Sequence, residues 1–176
     1  MIKIAIVDDN LFLQKTVQEK LSFFEDVEIK SKSLNGKELL QKLEKNSNLD
    51  LILMDIEMPE MNGVEATAEV KKRYPHIKIL MLTVFDNDEK IFKSIKAGAD
   101  GYLLKEINPQ ELYNSIKETL SGGAAMTPSI ALKTLKLLRE PQVFETEEEK
   151  EKITLTAREI QVLEQLSKGL KYDAIA

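Results

Sequence analysis

Apolar positions along the first two thirds of the chain follow two alternating rhythms. Short hydrophobic runs give way to longer stretches in which apolar residues recur every three or four positions. These are the spacings of a buried strand and of a helix lying against it. Ile2–Val7 is the first run and stops abruptly at Asp8 and Asp9. Leu11–Phe24 follows as a helix, with Leu13, Val17, Leu21 and Phe24 in phase. Val27–Ile29 is a weak second strand, and Gly36–Leu43 a helix with Leu39, Leu40 and Leu43 on one face. Leu51–Met54 is a buried strand ending at Asp55, and Met58–Gly63 holds the Pro and Gly of a loop.

The second part repeats the theme. Val64–Tyr74 is helical and stops before Pro75, because a proline ring disfavours helical backbone in the residue ahead of it. Ile77–Leu82 is the strongest strand and ends at Thr83. Asp88–Ala97 is a helix closed by Gly98, and Gly101–Leu104 is a strand ending at Lys105. Pro109 opens a helix that runs to Ser121, where Gly122 and Gly123 stop it. Five strands alternating with helices predict an α/β fold, a parallel sheet covered on both faces. Strands that are apolar throughout agree, since both of their sides are buried.

Beyond Gly123 the pattern changes. Pro128–Arg139 reads as a helix with Ala131, Leu135 and Leu138 on one face. Glu140–Lys152 is rich in Pro, Glu and Lys, a solvated connection by composition. Residues 154–170 form a new helix. Thr156 and Glu159 have the spacing of a capping box, Ile160, Leu163, Leu166 and Leu170 share a face, and Gly169 lies near its end.

Composition narrows the functional classes. The 176 residues contain no cysteine, which excludes disulfides and thiolate metal sites. No apolar run approaches the ~20 residues of a membrane helix, and the start is not a signal peptide, so the expected address is cytoplasmic, with no membrane partner. The net charge of −5 argues against a protein that coats nucleic acid non-specifically. Residues 153–176 carry three Lys+Arg against three Asp+Glu, so a role in DNA binding has to rest on motif rather than charge.

Candidate chemistry lies at the strand ends. In an open parallel sheet the carboxyl ends of the strands form one rim, where ligands bind. That rim gathers Asp8, Asp9 and Asp55 with the hydroxyl of Thr83 and the ammonium of Lys105. Three crowded carboxylates repel one another unless a cation joins them. An all-oxygen set without sulfur or histidine suits a hard ion such as Mg²⁺. A metal with a lysine and a hydroxyl neutralises phosphoryl oxygens, and an aspartate can be the nucleophile that accepts the phosphoryl group. His76, the single histidine, sits beside Pro75 in a connection and reads as a surface residue.

The segments IAIVDDN, LILMDIEMPEMNG, ILMLTVF and ADGYLLK resemble, in order and spacing, the receiver domain of bacterial two-component response regulators, over residues 1–121. The resemblance implies a flavodoxin-like sheet with strand order 2-1-3-4-5. It makes Asp55 the phosphoacceptor and Asp8 and Asp9 the acidic pair for Mg²⁺, with Asp9 the more direct ligand and the Glu57 backbone carbonyl completing the set. Thr83 would hydrogen-bond the phosphoryl group, Lys105 would pair with it, and Tyr102 would be an aromatic rotamer switch. Glu57 and Phe85, two positions beyond Asp55 and Thr83, would govern how water reaches the phosphoryl group. The implied donor is a phosphohistidine on a sensor histidine kinase.

The tail LTAREIQVL, followed by KG and IA, resembles the start of the LuxR-type helix-turn-helix domain of NarL/FixJ regulators. Lys171, Tyr172 and Asp173 depart from that family's usual Ser-Asn and basic residue, and Ala174 stands where Glu is usual. The expected organisation is a receiver over 1–122, a linker with one helix and a charged stretch over 123–152, and an amino-terminal fragment of the DNA-binding domain over 153–176. The expectation is promoter DNA as partner of the whole regulator, no operator recognition by residues 1–176 alone, and a homodimer on phosphorylation. A receiver working only through protein contacts is the alternative function. A Mg²⁺-dependent phosphatase with an aspartyl intermediate is the third.

Overall fold

The computed structural model describes residues 1–140, so the charged stretch from residue 141 on and the helix expected over 154–170 lie outside the described residues. Strands β1 (Ile2–Val7), β2 (Val27–Ser33), β3 (Leu51–Met54), β4 (Lys78–Thr83) and β5 (Gly101–Leu104) form one parallel sheet in the order β2-β1-β3-β4-β5. Between and after them run α1 (Leu11–Leu21), α2 (Gly36–Lys45), α3 (Gly63–Arg73), α4 (Asp88–Lys96), α5 (Pro109–Leu120) and α6 (Pro128–Arg139). The flavodoxin-like fold class and strand order expected from the sequence are those observed.

Each of the first five helices opens on an asparagine whose side chain accepts a backbone N–H of the first turn: Asn10, Asn35, Asn62, Asn87 and Asn108. These caps fix where each helix leaves the strand before it. Successive strand residues point to opposite faces. Ile4, Ile6, Leu51, Leu53, Leu80, Leu82 and Leu103 build one core layer with Val17 and Leu21 of α1 and Leu112 and Ile116 of α5. The alternate residues, among them Ile52, Met54, Ile79, Met81 and Tyr102, face the other way and are equally buried.

Three details differ from the sequence expectations. β2 extends to Ser33 although its second half, Lys-Ser-Lys-Ser, is polar, because it is an edge strand paired only with β1. α1 ends at Leu21, and Phe24, expected in the helix, stacks on Tyr113 with ring centroids 4.0 Å apart. The inner face of α6 is Ile130 and Leu137, not Ala131, Leu135 and Leu138, and Leu135 and Leu138 are 50% and 77% exposed. Both stripes have helical spacing, so periodicity alone could not choose between them. Packing against the sheet continues beyond α5. Ala125 is buried, and its carbonyl accepts the Tyr102 amide at 2.9 Å. Gly101 permits this approach, since a Cβ there would sit 2.6 Å from the Ala125 carbonyl oxygen.

Candidate phosphoacceptor site

Parallel pairing brings the carboxyl ends of β1, β3, β4 and β5 to one rim. Asp8 follows β1, Asp55 follows β3, Thr83 is the last residue of β4, and Lys105 follows β5. The backbone locks the aspartates in place. Asp8 N–H donates to Ser33 O at 3.0 Å, and Asp55 N–H to Val7 O at 2.9 Å. Helix α3 presses on the same point: a Cβ on Gly63 would lie 1.8 Å from the Asp55 carbonyl oxygen, so only glycine fits there.

Lys105 is the centre of the charge arrangement. Its ammonium lies 2.7 Å from Asp8 Oδ2 and 2.9 Å from Asp55 Oδ2, and only 9% of the lysine side chain is exposed. The remaining oxygens are held by the main chain, Asp8 Oδ1 by Asn10 N–H at 2.9 Å and Asp55 Oδ1 by Ile56 N–H at 2.8 Å. Asp9 is exposed at the mouth. One carboxylate oxygen from each of Asp8, Asp9 and Asp55 falls within 4.8 Å of the others, a convergence that could hold a metal ion. Three carboxylates thus face one ammonium, leaving a net negative pocket of oxygen donors.

Burial and charge pairing act against each other on Asp8 and Lys105. Burial pushes the Asp8 carboxyl above its ordinary value, and the Lys105 and Asn10 bonds only partly offset that. Burial pulls Lys105 down, but its bonds and charge attraction to Asp8 and Asp55 outweigh the desolvation, so it is held above the usual lysine value. The two directions are compatible: the lysine has two carboxylates to itself, whereas each carboxylate has half a lysine. The Tyr102 phenol is held well above its ordinary value, by burial first and then by the charges of Asp86 and Asp55.

Thr83 is fully buried, and its Oγ1 accepts a long bond from Phe85 N–H at 3.4 Å. Tyr102 is also buried, and its hydroxyl donates to Phe85 O at 2.7 Å, so β5 holds the loop that follows Thr83. The sequence-selected residues Asp8, Asp9, Asp55 and Lys105 therefore converge, with Thr83 ending the adjacent strand. The Glu57 side chain turns to Lys90 as an ion pair. His76 is exposed, as expected.

Two residues of this region were not selected by sequence. Gln14 is buried, and its amide donates to Asp8 O at 2.7 Å and Ser33 O at 2.9 Å, fixing the start of the acidic loop. It was detectable as a polar residue in register with Val17 and Leu21, three and seven positions on, which makes it part of the buried face. Lys90 pairs with Glu57 and sits 3.3 Å above the Phe85 ring centroid, bridging two loops that only the fold brings together.

A family model described as the response regulator receiver domain matches residues 4–117. The response regulator protein VraR of Staphylococcus aureus is 32% identical over 176 residues, spanning 99% of this chain and 80% of that protein. Among solved structures, a LuxR-family DNA-binding response regulator from Staphylococcus aureus is 28% identical, with a TM-score of 0.64 over 68% of this chain and 99% of the other. A CheY-like response regulator receiver domain protein from Methanospirillum hungatei is 34% identical, with a TM-score of 0.62 over 69% of this chain and 94% of the other.

Proposed function

The chain belongs to the response regulator receiver family, with LuxR-type regulators among its relatives, and from that premise we propose that it is a phosphorylation switch whose acceptor is Asp55. The observation that carries this reading is the sharing of Lys105 between Asp8 and Asp55 within a cluster of three carboxylates. A structural ion pair needs no third carboxylate, and leaving Asp9 beside the other two is unfavourable without a cation. The site therefore fits a ligand that brings positive charge and anionic oxygens together.

In this reading a carboxylate oxygen of Asp55 attacks phosphorus as the bond to the imidazole nitrogen of a sensor histidine kinase breaks, and that nitrogen leaves with the bonding pair. Lys105 already contacts the nucleophile and balances charge gathering on the phosphoryl oxygens. Thr83 accepts from Phe85 N–H, which leaves its own proton free to donate to the same group. The oxygen donors Asp8, Asp9 and Asp55 would hold Mg²⁺, with the Glu57 backbone carbonyl proposed to complete the set, and the ion would supply positive charge to the phosphoryl oxygens. Tyr102 tracks the loop after Thr83 as the rotamer switch. The chain is read as a switch rather than an enzyme that turns over a free substrate.

The proposed output is transcriptional control through a LuxR-type DNA-binding domain, whose first part residues 153–176 resemble. The proposed division remains receiver 1–122, linker 123–152 and DNA-binding segment 153–176, with promoter DNA and a phosphorylation-dependent homodimer as partners of the whole regulator. Among the described residues no helix is long and apolar enough to cross a membrane.

The test is incubation with acetyl phosphate, read as intact mass. One phosphoryl group is expected in Mg²⁺, and none with chelator or in Asp55→Asn. Labelling that survives Asp55→Asn removes the assignment. Turnover of free phosphate esters makes the protein a phosphatase instead.

A further inference from the structure

The loop between β4 and α4 carries Thr83 at its start and is held from three sides. From inside, Tyr102 of β5 donates to the Phe85 carbonyl at 2.7 Å. From α4, Lys90 covers the Phe85 ring. The third hold comes from a helix outside the five-stranded fold. Lys133 of α6 donates to the next carbonyl, Asp86 O, at 2.6 Å, and lies 3.4 Å from Asp86 Oδ2. Two consecutive carbonyls, two and three residues beyond Thr83, are thus pinned by different elements.

The placement of α6 does not depend on that lysine. Ile130 and Leu137 are buried beneath it, and the segment leading into it is tied to the same tyrosine, with Ala125 O accepting Tyr102 N–H and Met126 bridged to Tyr102. Tyr102 therefore meets the segment leading into α6 through its backbone and the Thr83 loop through its hydroxyl, and Lys133 closes the circuit from α6 to that loop. A surface lysine on a packed helix has many carboxylates to choose from. This one takes a backbone carbonyl, which cannot move without the loop moving.

We propose that Lys133 is a positioning residue for the phosphorylation switch: from α6 it clamps the loop that carries Thr83, so that loading Asp55 and holding α6 are a single coupled equilibrium. This rests on reading Asp55 as the phosphoacceptor. A phosphoryl group that draws on the Thr83 hydroxyl acts on one end of the loop and Lys133 on the other. Coupling of this kind is reciprocal, so what phosphorylation does to α6, α6 does to phosphorylation. The clamp is partly exposed, Lys133 by 35% and Asp86 by 65%, so its contribution is modest and easily reversed, as a switch contact requires.

The experiment uses the full chain with acetyl phosphate and Mg²⁺. It compares wild type with Lys133→Ala, Lys133→Arg and Lys136→Ala, the last a neighbouring surface lysine on α6. The initial rate of phosphorylation, thermal unfolding and hydrogen exchange are measured. The expected result is a roughly three- to fivefold slower rate in Lys133→Ala, the size of a lost partly exposed ion pair. Its unfolding temperature should be unchanged, Lys133→Arg should restore the rate and Lys136→Ala should have no effect. Phosphorylation should change exchange in residues 128–139 of wild type, and much less in Lys133→Ala. Equal rates and equal exchange in wild type and Lys133→Ala overturn the coupling. So does a slower rate that comes with lower thermal stability and no rescue by arginine, which marks Lys133 as packing only. Wild type that accepts no phosphoryl group overturns the phosphoacceptor reading itself, and this inference with it.

Discussion

At the amino ends of β4 and β5, Asp100 accepts from Ile79 N–H at 2.8 Å and pairs with Lys71 at 2.5 Å and Lys78 at 3.2 Å. At the carboxyl ends of the same sheet, Lys105 is shared between Asp8 and Asp55 with Asp9 alongside. The ingredients are the same and the balance is opposite: one carboxylate with two ammoniums at the first rim, three carboxylates with one ammonium at the second. Burial pushes Asp100 up, yet the lysines and the amide outweigh it and the carboxyl lies below its ordinary value. At the other rim burial wins, and Asp8 lies above. The difference separates a structural staple, which satisfies its charges, from a site that holds charge in reserve for a ligand.

That contrast breaks most visibly at Lys105. Lys105→Ala leaves buried carboxylates facing one another and is expected to cost about 3–5 kcal/mol without divalent cation, the usual penalty for opening a buried pair. Mg²⁺ should recover part of the loss, measured by chemical unfolding with and without the ion. If Mg²⁺ recovers nothing, the carboxylates do not bind it.

Asp100→Ala should cost roughly 2–3 kcal/mol, less because Lys78 is a third exposed. Mg²⁺ should not recover it, and phosphorylation of Asp55 should proceed unchanged. The pH dependence has a definite sign. A carboxyl lowered by folding contributes stability above the unfolded aspartate value of ~3.9, and that stability is lost as pH falls through the lower folded value. Wild type should therefore lose this contribution in acid while Asp100→Ala, having none, shows a flatter profile.

Asp8→Asn should act in the opposite direction. A carboxyl raised by folding favours the fold at low pH and loses that advantage as pH rises through the raised value, so at neutral pH its charge is a cost. Removing it is expected to raise Tm at neutral pH and to weaken the response to Mg²⁺. A lower Tm would make Asp8 a staple like Asp100.

The smallest effect sharpens the boundary of the charged rim. Phe85 is covered by Lys90 and offers no group to orient a water molecule. Phe85→Ala should speed loss of the phosphoryl group severalfold with native thermal unfolding, read as a decay time course at fixed Mg²⁺. Unchanged or slower decay leaves Phe85 as packing.

How much of this was legible in the sequence varies with the kind of feature. The rim residues were, because strand ends are marked by an abrupt change from apolar to charged letters and a parallel sheet has only one way to gather them. The asparagine caps stand one position before each of the first five helices, but hydrophobic spacing did not single them out. Gln14 was half legible, by phase with Val17 and Leu21, though its partners Asp8 and Ser33 come from two different strands. The extent of β2 was not, because an edge strand needs no apolar residues and leaves no hydrophobic run.

The sequence by itself determined the α/β fold, the strand order through resemblance, and the charge composition of the site, since local rhythm and strand ends are properties of neighbours in the chain. Tertiary structure alone decided that one lysine is shared by two aspartates, that Asp8 is the carboxylate raised by burial, and that Ile130 and Leu137 rather than Leu135 and Leu138 turn inward. It also decided that Lys133 reaches Asp86 across 47 residues of chain. These depend on which surfaces meet and how much water they exclude, and no window along the chain contains that information.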